Sequence, residues 1–290
     1  MSFKNTVLPV ETTLQSRGRL LDISTPVVMG ILNATPDSFY NQGRDSDTDS
    51  ILRNAERMLS EGATILDVGG ASTKPGSDII APEEELKRVI PVIEALHKRF
   101  PEAWLSVDTY HSKVATAAVN AGASIINDVS SGSIDGNMIA AVAQLQVPYI
   151  AMHMQGTPAT MQQNSQYCNV TLDIMNYLRQ MVDKCEAAGI KDIIIDPGFG
   201  FGKTLEHNYE LLRNMHTLRI LGKPVLAGIS RKGMIWKAIG TTPEEALNGT
   251  TALHMVALQQ GANILRAHDV KEAMEVIKLY GHLYPGTTAS

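Results

Sequence analysis

Polar side chains that could bind a substrate recur along the chain, each at the end of a short apolar run. In chain order they are Asn33, Asp67, Asp108, Asn127, His153, Asp196, the triplet Ser230-Arg231-Lys232, and the pair Arg266 and His268. At any single position capping is the ordinary explanation, because Asn and Asp are common caps. Capping does not explain all eight positions, where carboxylates, amides and cations are mixed. The set favours a binding site for a polar heterocycle and an anion.

Three segments rich in Gly, Pro, Ser and Thr follow the first, second and sixth of these apolar runs. They read GILNATPDSF (30–39), DVGGASTKPG (67–76) and DPGFGFGKT (196–204). Glycine allows the backbone to approach a ligand closely, and loops on a rigid scaffold commonly carry binding residues. We therefore expect all three segments to be mobile loops beside the ligand.

The third segment is similar to a nucleotide-binding loop but fits neither common pattern. A phosphate loop has four residues between its first glycine and the Gly-Lys pair, and the position that this spacing requires is Pro197. The GxGxxG dinucleotide pattern also fails, because Lys203 stands where the third glycine should be. Both nucleotide hypotheses are therefore rejected.

The elements that position these residues are short strands alternating with amphipathic helices. The apolar runs are rich in Val and Ile, as in strands buried on both faces, and they span 27–32, 63–68, 104–107, 124–127, 147–153, 192–196, 224–229 and 263–267. Helical patterns follow Asp49 as far as Gly62 and then cover about 82–100, 111–121, 134–145, 171–189, 205–221, 243–260 and 269–282. This alternation predicts a closed (β/α)8 TIM barrel, with an open doubly wound sheet as the alternative. Active sites of such barrels lie at the carboxyl ends of the strands.

The chain is predicted to hold a single domain, since no linker or low-complexity tract divides it. Residues 1–24 form an N-terminal extension, in which LQSRGRLLDIS (14–24) is expected to be a short hairpin closing the barrel bottom. The barrel itself is placed at 25–283, and 284–290 is expected to be a disordered tail.

Composition and charge exclude several classes of protein. The net charge is −5 and no strongly basic segment is present, which argues against indiscriminate binding to nucleic acid. The chain has neither a signal-peptide pattern at its N-terminus nor an apolar stretch of about 18 residues that could span a membrane. Two isolated cysteines, Cys168 and Cys185, argue against a disulfide scaffold or a Cys-rich zinc site. We expect a cytoplasmic protein.

Together with SRK (230–232) and RAHDV (266–270), the three loop segments resemble the motifs of the dihydropteroate synthases. The match runs in order from about Thr25 to the C-terminal helix. The resemblance implies a pterin-binding barrel of folate biosynthesis, the target of sulfonamides, that condenses hydroxymethyl-dihydropterin diphosphate with para-aminobenzoate and releases diphosphate. It also implies a homodimer.

The resemblance assigns a pterin pocket and a set of catalytic residues. The pocket consists of Asp108, Asn127, Met152, Asp196, Phe201 and Lys232, and the catalytic set of Asp108, Lys232, Arg266 and His268. A carboxylate accepts two parallel N–H bonds well, so Asp196 is expected to bind the guanidine-like edge of the pterin. Lys232 is expected to donate to the acceptor side, and Met152 and Phe201 to form apolar walls, although core packing is an equal alternative for Met152.

The same resemblance places the diphosphate and the second substrate at the barrel rim. The diphosphate is assigned Asn33, Thr73, Arg266 and His268, and Mg²⁺ is assigned Asn33; Mg²⁺ takes few protein ligands when phosphates supply the rest. The expected para-aminobenzoate contacts are Thr35, Pro36, Phe39, Ser72, Thr73, Lys74, Pro75 and Gly233. Three residues depart from the common family pattern near this rim: Ala71 where an acidic residue is frequent, Lys74 where Arg is, and Gly233 where Ser is.

The implied chemistry is substitution at the exocyclic methylene carbon of the pterin. An arylamine is largely unprotonated at neutral pH, so no strong general base is required. We expect the protein to contribute to catalysis through electrostatics. Our hypothesis is a cationic, dissociative transition state. Two alternatives are a pterin-dependent methyltransferase and a non-catalytic pterin-binding barrel. The segments TPDSF, STKPG, SRK and RAHD argue against the first, and retention of Asn33, Lys232 and Arg266 argues against the second.

Overall fold

A computed structural model describes residues 10–34, 44–71, 76–157, 160–161 and 165–285, with only the backbone of 44–47. The strands, in chain order, are β1 (Thr13–Ser16), β2 (Arg19–Asp22), β3 (Val27–Asn33), β4 (Ile65–Gly69), β5 (Trp104–Asp108), β6 (Ile125–Asp128), β7 (Tyr149–Met152), β8 (Ile193–Asp196), β9 (Val225–Ala227) and β10 (Ala262–Ala267). The helices are α1 (Arg44–Ser60), α2 (Pro82–Arg99), α3 (Ser112–Ala121), α4 (Met138–Leu145), α5 (Val170–Ala187), α6 (Leu205–Asn214), α7 (Gly233–Ile239), α8 (Leu247–Gln259) and α9 (Val270–Leu283).

Strands β3 to β10 close into a parallel barrel in which β10 pairs with both β9 and β3. Each strand is separated from the next by helical structure, as a parallel connection requires. The predicted (β/α)8 barrel is therefore confirmed, and the open doubly wound sheet is excluded. In the described part of the chain, no helix combines the length and the apolar character needed to cross a bilayer.

In the C-terminal half of the chain, one predicted helix is divided in two, one begins later than predicted, and one was missed. The pattern over 205–221 forms α6 and then a 3-10 helix at Met215–Leu221. The pattern over 243–260 becomes helical only at Leu247. The residues before it form turns, in which the Pro243 carbonyl accepts from the Ala246 N–H, and the Arg231 guanidinium also donates to the carbonyls of Pro243 and Glu244. The short helix α7 was not predicted.

The lower end of the barrel is filled by apolar side chains and closed by the β1–β2 hairpin. Interior residues of this layer are Val27, Met29, Ile65, Trp104, Ile125, Ile150, Ile194, Leu226 and Ile264. Leu14 and Ile23 from the hairpin segment pack against them and are almost completely buried. The backbone N–H of Gln15 donates to Asp192, which precedes β8, and this contact ties the hairpin to the amino ends of the strands. The predicted hairpin at the barrel bottom is confirmed.

The proposed domain boundaries at 24/25 and 283/284 stay predictions. Tyr284, the first residue of the expected tail, still contacts the last helices: its hydroxyl accepts a hydrogen bond from Gln259 (3.1 Å), and its ring centroid lies 4.9 Å from that of Tyr280. Residues 286–290 lie outside the described residues.

Candidate active site

The upper interior of the barrel is polar, although the same strands build it. Residues two apart on a strand point to the same face, so the residue two places after each lower-layer side chain also faces the interior. These pairs are Ile65 and Asp67, Trp104 and Ser106, Ile125 and Asn127, Ile194 and Asp196, and Ile264 and Arg266. The strand ends are also in register, since Asp108 lies between Gly69 and Asn127. Parallel strands therefore bring side chains that are distant in sequence to one end of the barrel.

Arg266 joins two carboxylates from neighbouring strands. Its Nε lies 2.7 Å from Asp67 Oδ2, and its Nη2 lies 2.7 Å from Asp108 Oδ2. Asn127 Nδ2 donates to the same Asp67 oxygen at 3.0 Å. Burial raises the pKa of Asp108, and the Arg266 guanidinium opposes that rise. The result is a connected polar network of Asn127, Asp67, Arg266 and Asp108 that spans a large part of the barrel mouth.

Three buried oxygens beside this network have no hydrogen-bond partner in the described part of the chain. They are Asp67 Oδ1, Asp108 Oδ1 and Ser106 Oγ. An unpartnered buried oxygen costs about 1–3 kcal/mol, so polar groups of this kind normally face a ligand or water. The cluster is therefore suited to a ligand that presents N–H donors.

Asp67 and Ser106 were absent from the predicted site residues. Asp67 was recognised at a strand end, but its place in the network depends on Arg266, 199 positions later in the chain. Ser106 was detectable in principle, because it lies two residues before Asp108 on the same face of β5.

The opposite side of the mouth contains Asp196 and Lys232. Asp196 is buried, and its Oδ1 accepts a hydrogen bond from the backbone N–H of Gly198 (2.7 Å). Lys232 Nζ donates to the carbonyl of Phe199 (2.6 Å) and lies 4.7 Å from the centre of the Phe201 ring. Desolvation raises the pKa of Asp196 and lowers that of Lys232 to about 8. A charged or hydrogen-bonding ligand should therefore change the protonation of both groups.

Gly228, directly after β9, lies beside both of these side chains. A Cβ at this position would lie 3.6 Å from Lys232 Nζ and 3.8 Å from Asp196 Oδ2. Asp196 and Lys232 therefore face the same space, above the backbone that follows β9. A flat ligand could contact both groups there.

An apolar cluster lies beside the polar groups. Met152 and Phe201 belong to it, together with Tyr110, Val129, Met154 and Met161. Met152 pairs in register with Asp196 across β7 and β8 and faces the interior like Ile150. Polar edges and apolar walls thus meet at one site, which suits a planar heterocycle.

His268 lies at the rim, outside the network of Arg266. Its Nδ1 is 3.1 Å from Ser230 Oγ, and its backbone N–H donates to that same hydroxyl. Arg231 forms a bidentate ion pair with Asp269 at 2.8 Å for both contacts. This pair connects the loop after β9 to the loop after β10 and so fixes Lys232 relative to His268.

The remaining predicted residues lie at the edge of the described structure. The Asn33 side chain is exposed at the end of β3, and Gly233 begins α7 directly after Lys232. The predicted contacts Thr35, Pro36, Phe39, Ser72, Thr73, Lys74 and Pro75 lie outside the described residues. The structure brings Asp108, Asn127, Met152, Asp196, Phe201, Lys232, Arg266 and His268 to one mouth.

The comparisons with known proteins agree on one family. The model of the pterin binding enzymes matches residues 29–268. The dihydropteroate synthase of Haemophilus influenzae is 43% identical over 269 residues, which are 92% of this chain and 97% of the relative.

Solved structures are similar over almost the whole chain. A Yersinia pestis dihydropteroate synthase in a sulfonamide drug complex superimposes with a TM-score of 0.88 at 44% identity, covering 93% of this chain and 98% of the other. A Xanthomonas albilineans dihydropteroate synthase with 4-aminobenzoic acid has a TM-score of 0.88 at 40% identity, covering 95% and 99%.

Proposed function

Because the chain belongs to the pterin-binding enzymes and its relatives are dihydropteroate synthases, we propose that it condenses hydroxymethyl-dihydropterin diphosphate with para-aminobenzoate. The products are dihydropteroate and diphosphate, which makes the protein a transferase of folate biosynthesis. The observation that carries this proposal is the convergence of Asp108, Asn127, Asp196, Lys232 and Arg266 on one end of the barrel.

The pterin is proposed to lie between the Arg266 network and Lys232. Asp196 accepts the N–H groups of its guanidine-like edge, and Lys232 donates to its acceptor side. Asn127 can both donate and accept there. Met152 and Phe201 cover the ring faces, an arrangement supported by their common apolar cluster. The unpartnered oxygens of Asp67, Ser106 and Asp108 add acceptors on the floor of the same pocket.

Arg266 is proposed to connect the pterin pocket with the diphosphate. A guanidinium presents five N–H donors in a fixed fork, enough for Asp67, Asp108 and a phosphate oxygen together. His268 lies at the rim nearby and supplies a further hydrogen-bond donor for the leaving anion. Barrels frequently bind phosphate in the loops after the last strands, which supports this placement.

Mg²⁺ is proposed to accompany the diphosphate rather than to occupy a dedicated protein site. No cluster of three or more His, Cys, Asp or Glu suited to a metal occurs within the described residues. The exposed amide of Asn33 at the rim fits a cation whose other ligands are water and phosphate oxygens. When bound, Mg²⁺ neutralises charge that accumulates on the departing diphosphate.

The protein's own contribution is electrostatic and positional. Arg266 and His268 stabilise the departing anion, and the carboxylates of Asp108 and Asp196 favour positive charge on the pterin. The carbon–oxygen bond to the diphosphate breaks, and the amine nitrogen of para-aminobenzoate forms the new bond to the methylene carbon. The nitrogen then releases a proton to water or to the diphosphate. Contacts from Thr35, Pro36, Phe39, Ser72, Thr73, Lys74, Pro75 and Gly233 to the second substrate stay predictions, as does the diphosphate contact of Thr73. A heavy-atom isotope effect that shows early bond formation to the amine would contradict a dissociative transition state.

Two further proposals concern the protein in the cell. The family resemblance supports a homodimer, and analytical ultracentrifugation that gives only the monomer mass would contradict it. A cytoplasmic location is supported by two free cysteines, one exposed (Cys168) and one buried (Cys185).

The direct test is formation of dihydropteroate from the two substrates, measured with and without Mg²⁺. Turnover that requires Mg²⁺ supports both the function and the metal proposal. Turnover that is the same in the presence of a chelator rejects the metal proposal alone. Tight binding of the pterin without turnover would favour the methyltransferase or the non-catalytic barrel, and transfer of a methyl group to a corrinoid would identify the former.

A further inference from the structure

Lys203, in the loop that follows β8, is a buried cation to which the proposed function assigns no role. Only 3% of this residue is exposed. Its Nζ contacts the Gly198 carbonyl at 2.7 Å, the Phe201 carbonyl at 3.0 Å and His153 Nδ1 at 3.1 Å. The carbonyl of His153 lies at 3.5 Å. In the described structure no carboxylate forms an ion pair with Lys203.

The contacts match the donors of an ammonium group. An ammonium has three N–H donors and no acceptor, and the three shorter contacts all end on acceptors. Burial lowers the pKa of His153 to about 2, so its ring is neutral and its Nδ1 can accept. A buried cation is costly unless its hydrogen bonds are satisfied, so Lys203 favours only those loop conformations that bring these acceptors together.

The loop fixed in this way supports the pterin site directly. It carries the Phe199 carbonyl that accepts from Lys232 and the Phe201 ring beneath the Lys232 ammonium. Its close contact with β7 requires glycine, because a Cβ at Gly198 would lie 1.9 Å from the His153 carbonyl oxygen. Asn208 ties the same loop from α6, accepting from Gly200 N–H and donating to the Lys203 carbonyl.

We propose that Lys203 is a positioning residue of the pterin site, which holds the 197–204 loop against β7 and adds a positive charge near Asp196. This inference rests on the proposed function, because it assumes that Asp196, Phe201 and Lys232 bind a pterin. The lysine thus acts at a distance, by placing Lys232 and Phe201 and by favouring the ionised form of Asp196.

The charges around Asp196 come from three elements. Lys232 lies on the loop after β9, Arg266 on β10, and Lys203 on the loop after β8. Neutral His153 faces Lys203 from the end of β7. All three cations favour the carboxylate, whereas desolvation opposes it. Burial lowers the pKa of the Lys203 amine well below its ordinary value, and the Asp196 carboxylate opposes that fall. Gly198 links the two groups, because its N–H donates to Asp196 and its carbonyl accepts from Lys203. Removing one cation should therefore raise the pH at which Asp196 takes up a proton.

The test compares Lys203→Met with the matched control Asn208→Ala. Lys203→Met removes both the loop contacts and the charge, whereas Asn208→Ala loosens the same loop and keeps the charge. For both variants, binding of hydroxymethyl-dihydropterin diphosphate is measured by calorimetry from pH 5 to 9, together with the KM for each substrate and the thermal unfolding temperature.

Three results are expected. Lys203→Met raises the KM for the pterin substrate about tenfold or more and changes the KM for para-aminobenzoate much less. It also moves the acid limb of pterin binding, which is the fall in pterin affinity at low pH, to higher pH. Asn208→Ala raises the pterin KM without moving that limb, and Lys203→Arg restores part of the affinity and the position of the limb.

Several outcomes would overturn the inference. One is a folded Lys203→Met protein with an unchanged pterin KM, and another is an equal shift of the acid limb in Asn208→Ala. Should Lys203→Met fail to fold, His153→Leu removes a single acceptor, and an unchanged pterin KM in that variant rejects the positioning role. A parent protein that binds no pterin would instead reject the proposed function.

Discussion

The same strands build the lower and upper halves of the barrel interior, but the lower half is apolar and the upper half is polar and charged. Below, Ile65, Ile194 and Ile264 belong to a cluster of apolar side chains that are fully buried. Two residues further along each strand, the side chains are Asp67, Asp196 and Arg266. The strands therefore change from apolar to charged within one step of the interior pattern.

The two halves therefore contribute differently: the lower half favours folding, and the upper half is suited to ligand binding. The lower layer gains free energy by removing apolar surface from water. The upper layer holds carboxylates and cations in a poorly solvated space. There the oxygens of Asp67, Ser106 and Asp108 find no partner among the residues that the structure describes. Sites of this kind are stabilised by their ligands, while the layer beneath contributes to the stability of the apoprotein without one.

The strongest test of the contrast is removal of the central cation by Arg266→Met. Breaking a buried ion pair from one side costs about 3–5 kcal/mol, because the remaining charges lose their partner. We expect a loss of this size in the free energy of unfolding near pH 8, together with loss of turnover. Burial raises the pKa of Asp108 to about 7 in the parent, and loss of the guanidinium should raise it further. The defect should therefore shrink as pH falls below about 7, where this carboxyl is protonated in both proteins.

Urea unfolding of Arg266→Met at several pH values measures this effect. A defect of the same size at pH 5 and pH 8 would show that the buried carboxylates are not its cause.

The matching change in the lower layer is Ile264→Ala, two residues earlier on the same strand. Removing the side chain leaves a cavity, and such substitutions cost about 2–5 kcal/mol. Because no polar group of the site is altered, the turnover per folded molecule should stay close to that of the parent. Denaturant unfolding and kinetics on one preparation give both values, and a large fall in kcat with normal stability would contradict the separation of the two layers.

A smaller effect is expected when one ligand-facing charge is neutralised by Asp196→Asn. The variant keeps the shape of the side chain and loses charge-assisted hydrogen bonds to the pterin, which contribute about 1.5–3 kcal/mol. Calorimetric titration with the pterin diphosphate should show this loss in affinity. An unchanged Kd would remove Asp196 from the pocket.

The smallest predicted effect is a pH dependence set by Lys232. Burial lowers the pKa of this amine to about 8, so the ammonium is mostly protonated below that pH and is lost above it. The KM for the pterin substrate should rise by about tenfold for each pH unit above 8, which corresponds to about 1.4 kcal/mol. A Lys232→Arg variant keeps its charge and should lack this basic limb, whereas a flat parent profile from pH 7 to 10 would contradict the assignment.

Much of the fold was predictable because strand and helix patterns are local. The eight strand runs were found within a few residues of their bounds, and the polar residues at their ends were predicted to form the site. Helix α7 was missed because it has seven residues, too few for a clear periodic pattern. The late start of α8 was missed because residues 243–246 form turns, and the Arg231 guanidinium that contacts their carbonyls lies outside the segment that carries the pattern.

Periodicity and motif spacing are properties of neighbouring residues, and they were enough to predict the barrel and the family. The partners of the side chains could be found only in the folded molecule. Arg266 pairs with Asp67 and Asp108, which are 199 and 158 positions away, and Lys203 is buried against His153 from another strand. Such pairs are fixed by strand register and barrel closure, which bring distant residues together and are not encoded in any short segment.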